Sequence, residues 1–401
     1  MKISKKLIGS LCTAFISTYS MAQDNKDSFE IYGYVNTDAG YNFNSIDPNW
    51  FDVMRPTKLP SYPNQFGPDG SVYYSVRQSK LGFKSNTETS IGELKTQFDF
   101  DLVGFGKGVG QTTFHVVNFY GQVGHFGAGQ TPTPFMDLEA CPTTLDYWGP
   151  LSRAFFLNIQ FRYIVFEKKN ERLLFALERP GATSDGSNYT EAIDLQHVKP
   201  VFDAPNLTAQ YRKGGKWGYV QLGAVAKSIR WKDISDTSAY NLSGSTFAWG
   251  GSLSTVIRTS NWLTIKCQGI FGNGIENYIA DAGVDIAREK NPGNPAKPYI
   301  GKALPVWGFF SFVEINWNEL FRSSIGYSML TIQNTSLQSS SAFREGQYGL
   351  ANLRYYLVKN VMMGIEYQYG RRNDLDNGFH ANGNKLQLSF RYSFSKQFIK
   401  E

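Results

Sequence analysis

Ten consecutive residues near the C-terminus, Lys385 to Phe394, alternate without a break. Leu386, Leu388, Phe390, Tyr392 and Phe394 fall in one phase, and Lys385, Gln387, Ser389, Arg391 and Ser393 in the other. A strand sends these two sets to opposite faces, whereas a helix would spread the apolar groups round its whole surface. Ten residues is also the length of a tilted strand that crosses a bilayer. Three further stretches repeat the pattern. Residues 93–102 set Leu94, Phe98, Phe100 and Leu102 against Glu93, Lys95, Gln97, Asp99 and Asp101. Residues 157–165 set Ile159, Phe161 and Tyr163 against Asn158, Gln160 and Arg162, and residues 361–370 set Met363, Ile365 and Tyr367 against Glu366 and Gln368.

A soluble sandwich also alternates, but it does not account for the aromatic load. The chain carries 30 Phe, 23 Tyr and 8 Trp, yet its mean hydropathy is −0.33. Greasy residues toward lipid and polar ones toward water give this combination. The strand stretches come in pairs. Short turns fall near 87–91, 168–171, 214–215, 260–261, 318–319 and 359–360. Long polar or Pro-rich stretches lie between pairs, at 45–70, 132–154, 183–204, 233–244, 281–303, 335–343 and 373–383. The expected fold is all-β: a transmembrane antiparallel β-barrel of about 16 strands, with short periplasmic turns and long external loops.

Residues 1–22 read as a secretory signal peptide. Lys2, Lys5 and Lys6 precede an apolar stretch from Leu7 to Ile16, and Ser20 and Ala22 flank Met21 before the cleavage point. Residues 23–401 then form one barrel domain. Removing the leader takes three lysines and no acid from the formal charge of +6, too weak a remaining surplus to argue for nucleic acid. Beyond the leader only Cys141 and Cys267 remain, and free thiols are expected. His115, His125, His197 and His380 are scattered, with no metal-ligand spacing and no Gly-x-Ser-x-Gly elbow, so neither a metal, a cofactor nor an enzyme is expected. Aromatic clusters at Trp217-Gly218-Tyr219, Tyr355-Tyr356 and Trp307 to Phe312 read as interfacial girdles.

An open barrel of this size would leak, so something should narrow it. The segment Pro132 to Arg153 mixes four prolines with Asp137, Glu139 and Asp146 and with apolar Phe135, Met136, Leu138, Tyr147 and Trp148. It is expected to fold inward as a constriction loop. Facing it, Arg77, Lys80, Lys84, Lys95, Arg162, Arg354 and Arg391 are candidate pore-lining cations. Arg77 fits only if a bulge shifts its phase, because Leu81 and Phe83 should face lipid. Acid opposite base would set a transverse field that favours polar solutes. The function expected is passive diffusion of small polar solutes; the alternative is a structural or adhesive barrel with a blocked lumen.

The chain resembles the DcaP-like family of outer-membrane porins. The matching pieces are Arg77-Gln78-Ser79-Lys80-Leu81-Gly82-Phe83-Lys84, Gly92-Glu93-Leu94-Lys95-Thr96 and Phe98-Asp99-Phe100-Asp101. Tyr120-Gly121-Gln122, Gly129-Gln130-Thr131, Phe135-Met136-Asp137, Leu145-Asp146, Gly149-Pro150 and Gln160-Phe161-Arg162-Tyr163 follow in order. Gly364-Ile365-Glu366-Tyr367, Tyr369-Gly370-Arg371-Arg372 and Arg391-Tyr392-Ser393-Phe394 complete the match, which is poor over roughly 183–345. The resemblance implies a Gram-negative outer membrane, a homotrimer of 16-stranded channels, and small, often anionic solutes such as dicarboxylates. It also places Phe135-Met136-Asp137 in the infolded loop. Family members can carry a coiled-coil segment before the barrel; here the first strand is expected from about Phe29. The last seven residues extend past Phe394, and either Phe398 is the assembly signal or the tail is a periplasmic extension.

Overall fold

The computed structural model describes residues 27–181, 193–235 and 240–399, and the leader expected at 1–22 lies outside them. The first strands are β1 (Ser28–Asn42), β2 (Lys80–Thr89), β3 (Gly92–Val103), β4 (Thr112–Val123) and β5 (Phe126–Pro132). Then come β6 (Leu157–Lys168), β7 (Glu171–Glu178), β8 (Asn206–Gly215), β9 (Gly218–Asp233), β10 (Gly244–Arg258) and β11 (Leu263–Asn273). The last are β12 (Pro305–Asn316), β13 (Phe321–Ile332), β14 (Phe343–Val358), β15 (Val361–Asp374) and β16 (His380–Ile399). Each pairs antiparallel with the next, and β16 pairs back on β1 from Ser28↔Ile399 to Asn42↔Lys385. Two more segments of the same sheet, Ser71–Ser75 and Val198–Val201, continue the lines of β2 and β8 outward, so the closed barrel has 16 strand positions. Ser395 to Ile399, beyond Phe394, are therefore part of the ladder.

The alternation divides inside from outside as the pattern requires. Leu388, Phe390 and Tyr392 face outward and exposed, while Lys385, Gln387 and Ser389 point in and are buried. Trp217, Trp262 and Trp317 sit exposed in or beside three short turns, at the headgroup level. The other girdle candidates divide. Trp307 and Phe309 face lipid, but Tyr219, Phe310 and Phe312 point inward and are buried.

That inward burial marks a difference between the two halves of the wall. Between β1 and β6 the inward positions are polar, among them Asn36, Asp38, Lys80, Gln97, Asp99, Asn118, Gln160 and Arg162. From β9 to β14 many are apolar: Val225, Ile229, Val256, Ile270, Phe310, Phe312, Leu330, Tyr348 and Leu350, all buried. Apolar side chains belong inside a wet barrel only where something covers them. Three long connections do so: 43–79, 133–156 and 274–304. Phe310 and Phe312 are 1% and 0% exposed. Burial on this scale favours the covered state by about 1.5–3 kcal/mol per ring. Within the long polar stretch at 281–303, Ile286–Lys290 and Tyr299–Ala303 pair in a small sheet with Ile193–Asp194. The arginine whose phase conflicted with its neighbours sits in a break: residues 76–79 interrupt the line of β2, with Ser79 N bonded to Val76 O at 3.0 Å.

Candidate solute pathway and constriction

The connection 133–156 leaves β5 and crosses the lumen to the opposite wall. Strand residues accept or donate along its whole course. Gln221 Nε2 donates to Met136 O at 3.0 Å, Lys266 Nζ to Cys141 O at 2.9 Å and Asn352 Nδ2 to Thr143 O at 2.9 Å. Glu366 takes the backbone N–H groups of Leu145 and Asp146 at 2.7 and 3.0 Å, and Gln387 Nε2 donates to Leu145 O at 2.9 Å. Near the exit, Gln268 Oε1 accepts from Ala154 N at 2.8 Å. Burying a polar backbone without partners is costly, so the wall's amides and carboxylates are what let this segment lie inside.

Infolding is as expected; the direction of its acids is not. Asp137 turns to the wall, where Arg212 Nη2 and Tyr219 Oη each lie 2.9 Å from Oδ1 and Ser254 Oγ lies 2.6 Å from Oδ2. Asp146 is paired with Lys385 at 3.0 Å, both side chains shielded from solvent. Of the three expected loop acids only Glu139 is exposed, and Arg212 Nη1 binds it at 2.7 Å. An acidic loop facing a basic wall is therefore corrected: Asp137 and Asp146 anchor the segment. A carboxylate is cheap inside the barrel only where cations and N–H groups surround it.

The candidate cations divide likewise. Arg77 is buried, its Nη1 2.7 Å from Asp52 Oδ1, and it braces the 43–79 connection from within. Arg354 is buried and bonds Ser324 Oγ at 3.1 Å. Lys80 reaches Asp99 at 2.9 Å, and Lys95 pairs with Glu93 at 3.0 Å beside the first short turn. Lys84, Arg162 and Arg391 make no ion pair among the described residues. Lys84 Nζ lies 4.4 Å above the Tyr32 ring and Arg391 rests 4.3 Å above Tyr34, with Nε bonded to Asn36 Oδ1 at 2.9 Å. Arg162 bonds Gln160 Oε1 and Pro132 O, with Tyr120 at 5.6 Å. Rings and neutral oxygens orient these charges without cancelling them.

The wall acids are in the opposite condition. Asp38, Asp99, Asp101, Glu178 and Glu366 are at most 4% exposed. Asp99, for example, takes Tyr32 Oη, Gln97 Nε2, Asn118 Nδ2 and Lys80 Nζ. Asp101 is capped by His115 and by Tyr147 of the constriction segment. Burial first, and then the adjacent Asp101 charge, push the Tyr147 phenol well above its usual range, so it stays a donor. At the short-turn end a cleft of about 320 Å³ is lined by Lys168, Lys169, Arg172, Arg212 and Arg258 against Glu139, Glu167 and Glu171.

Long-range partners escaped the sequence reading: Arg55, Asp281, Arg212, Glu314 and Glu366. Arg55 lies 4.1 Å above Trp50 and 3.8 Å above Trp148, and its Nε binds Asp281 at 3.0 Å. This guanidinium joins all three infolded connections. Its only sequence signal is charge in a loop otherwise rich in Pro and aromatics. Cys141 and Cys267 are free, and among the described residues no group of three or more His, Cys, Asp or Glu could hold a metal ion.

The family model for DcaP outer membrane protein matches residues 14–394. The chain belongs to that family. Among solved structures, the DcaP outer membrane channel of Acinetobacter baumannii superposes with a TM-score of 0.74 at 16% identity, covering 94% of this chain and all of that one. An anion-selective porin from Comamonas acidovorans gives 0.59 at 9% identity, covering 92% of this chain and 100% of that one. In-vitro folded OmpT of Vibrio cholerae, in a trimer form, gives 0.57 at 12% identity with the same coverage. At these identities the likeness establishes the porin barrel. A search of curated proteins by sequence finds no match. The DcaP family and its barrel place this chain among outer-membrane channels.

Proposed function

We propose that the chain is a passive outer-membrane porin that favours small anions, dicarboxylates among them, over cations. One observation carries the reading: Asp38, Asp99, Asp101, Glu178 and Glu366 on the wall are buried, while Lys84, Arg162 and Arg391 make no ion pair among the described residues and rest on rings and neutral oxygens. A fixed positive potential in a narrow, low-dielectric passage concentrates anions and repels cations. Export by the 1–22 leader and assembly as a homotrimer belong to the same proposal; the trimer form of the similar OmpT barrel supports the latter.

Planar-bilayer recordings in a KCl gradient test it. The wild type should show an anion-selective reversal potential, and Lys84→Gln with Arg162→Gln and Arg391→Gln should move it toward the cation side. An unchanged reversal potential would refute the assignment. No steady current from the wild type would favour a blocked, structural barrel.

A further inference from the structure

On the outside of the barrel, at the loop end of β8 and β9, one patch is charged where its surroundings are apolar. The outward side chains of β9 run Val220, Leu222, Ala224 and Ala226, then Ser228, Arg230 and Lys232. The neighbouring strand matches this band with Leu253, Trp249 and Phe247, all exposed, Phe247 opposite Ser228. From Val220 to Arg230 a strand rises roughly 33 Å, and a tilt near 40° makes that about 25 Å along the membrane normal, the height of an outer-membrane apolar band. Arg230 and Lys232 thus lie at the outer headgroup level.

The outer continuation of β8 places Lys199 directly opposite Lys232, and Val201 opposite Arg230. Lys199 and Lys232 are exposed, and neither has a hydrogen-bond or ionic partner among the described residues. Like charges directly opposite in a sheet repel at Cβ separations of about 5 Å. Arg230 pairs with Asp203, so one carboxylate offsets three cations. The nearby Asp233 is occupied by the backbone N–H groups of Ser235 and Leu242 at 2.8 and 2.7 Å. An unrelieved cation cluster above a lipid-facing aromatic band calls for an anion supplied from the membrane.

We propose that Lys199, Arg230 and Lys232 bind the phosphate groups of the phosphorylated saccharolipid that forms the outer leaflet. Several phosphates on one headgroup suit several cations a few ångströms apart, and the acyl chains then lie against Phe247 and Trp249. The site is separate from the solute pathway, which lies behind the wall, where Ile229 and Trp231 point inward.

The full-length barrel in detergent, titrated with bisphosphorylated lipid A by native mass spectrometry, gives the test. The wild type should bind saturably and more weakly as salt rises. Lys199→Gln/Arg230→Gln/Lys232→Gln should weaken binding roughly 30- to 150-fold, the effect of two to three cations at a membrane surface. Lys213→Gln, an exposed lysine at the short-turn end of β8, should leave binding unchanged, and heat-modifiable gel migration checks that each variant is folded. The proposal is overturned if the triple variant, or Lys199→Gln/Lys232→Gln should the triple one misfold, binds like wild type. Equal binding of dephosphorylated lipid A or of phosphatidylglycerol would overturn it as well.

Discussion

Replacing Glu366 by Gln should loosen the constriction without opening the barrel. The carboxylate is fully buried and accepts four hydrogen bonds, from Leu145 N (2.7 Å), Asp146 N (3.0 Å), Asn352 Nδ2 (2.9 Å) and Gln368 Nε2 (2.6 Å). The amide keeps the shape but turns one acceptor into a donor. Rotating the Gln368 amide relieves part of the clash and leaves the Asp146 N–H facing another donor. Stranding one buried N–H and making the remaining acceptor neutral costs about 2–4 kcal/mol. At 1.4 kcal/mol per tenfold, the undocked segment becomes roughly 30 to 800 times more populated. The ladder is untouched, because β15 pairs through its backbone. Single-channel recordings should show flicker to a second conductance level that the wild type lacks. Identical current noise and conductance from a folded variant would mean that these bonds do not hold the segment.

Two further perturbations address the other infolded connections. Arg55→Met removes the cation between Trp50 and Trp148 and leaves Asp281 buried without its ion pair, a loss of about 3–5 kcal/mol. Limited proteolysis should then cut within 274–304 faster while the strands resist; cleavage at the wild-type rate would count against the clamp. Burial, and then the nearby Asp285 charge, raise the Glu276 carboxyl well above its usual range. The folded chain therefore keeps a proton that the unfolded chain releases, and stability should fall as pH rises above the unfolded value, by at most about 1.4 kcal/mol per pH unit. Glu276→Gln should flatten the thermal midpoint between pH 5 and 9 relative to wild type, and parallel curves would reject this account.

The barrel was legible because its signal is local. Lys385 to Phe394 declares a membrane strand by itself, and so does the alternation at 157–165. The break after Ser75 was legible too, as a phase conflict at Arg77. The constriction could be recognised as a segment but not oriented. Asp146 meets Lys385, and Leu145 meets Glu366, across more than 200 residues, and periodicity carries no information about such pairs. The run Trp307 to Phe312 held an unused clue. Its inward members, Phe310 and Phe312, are apolar where a wet wall should be polar, which marks where a connection lies against the wall. The inward apolar residues from β9 to β14 outline the footprint of the infolded segments.

The seam between β1 and β16 has its own consequence for biogenesis. Fifteen consecutive residues at one end of the chain register against the other end, from Ser28↔Ile399 to Asn42↔Lys385. Until both partners have emerged, the growing sheet presents raw edges that lipid cannot solvate, so insertion has to wait for the final strand. A polypeptide cut short by even one hairpin would lose that zipper and remain a target for periplasmic proteases.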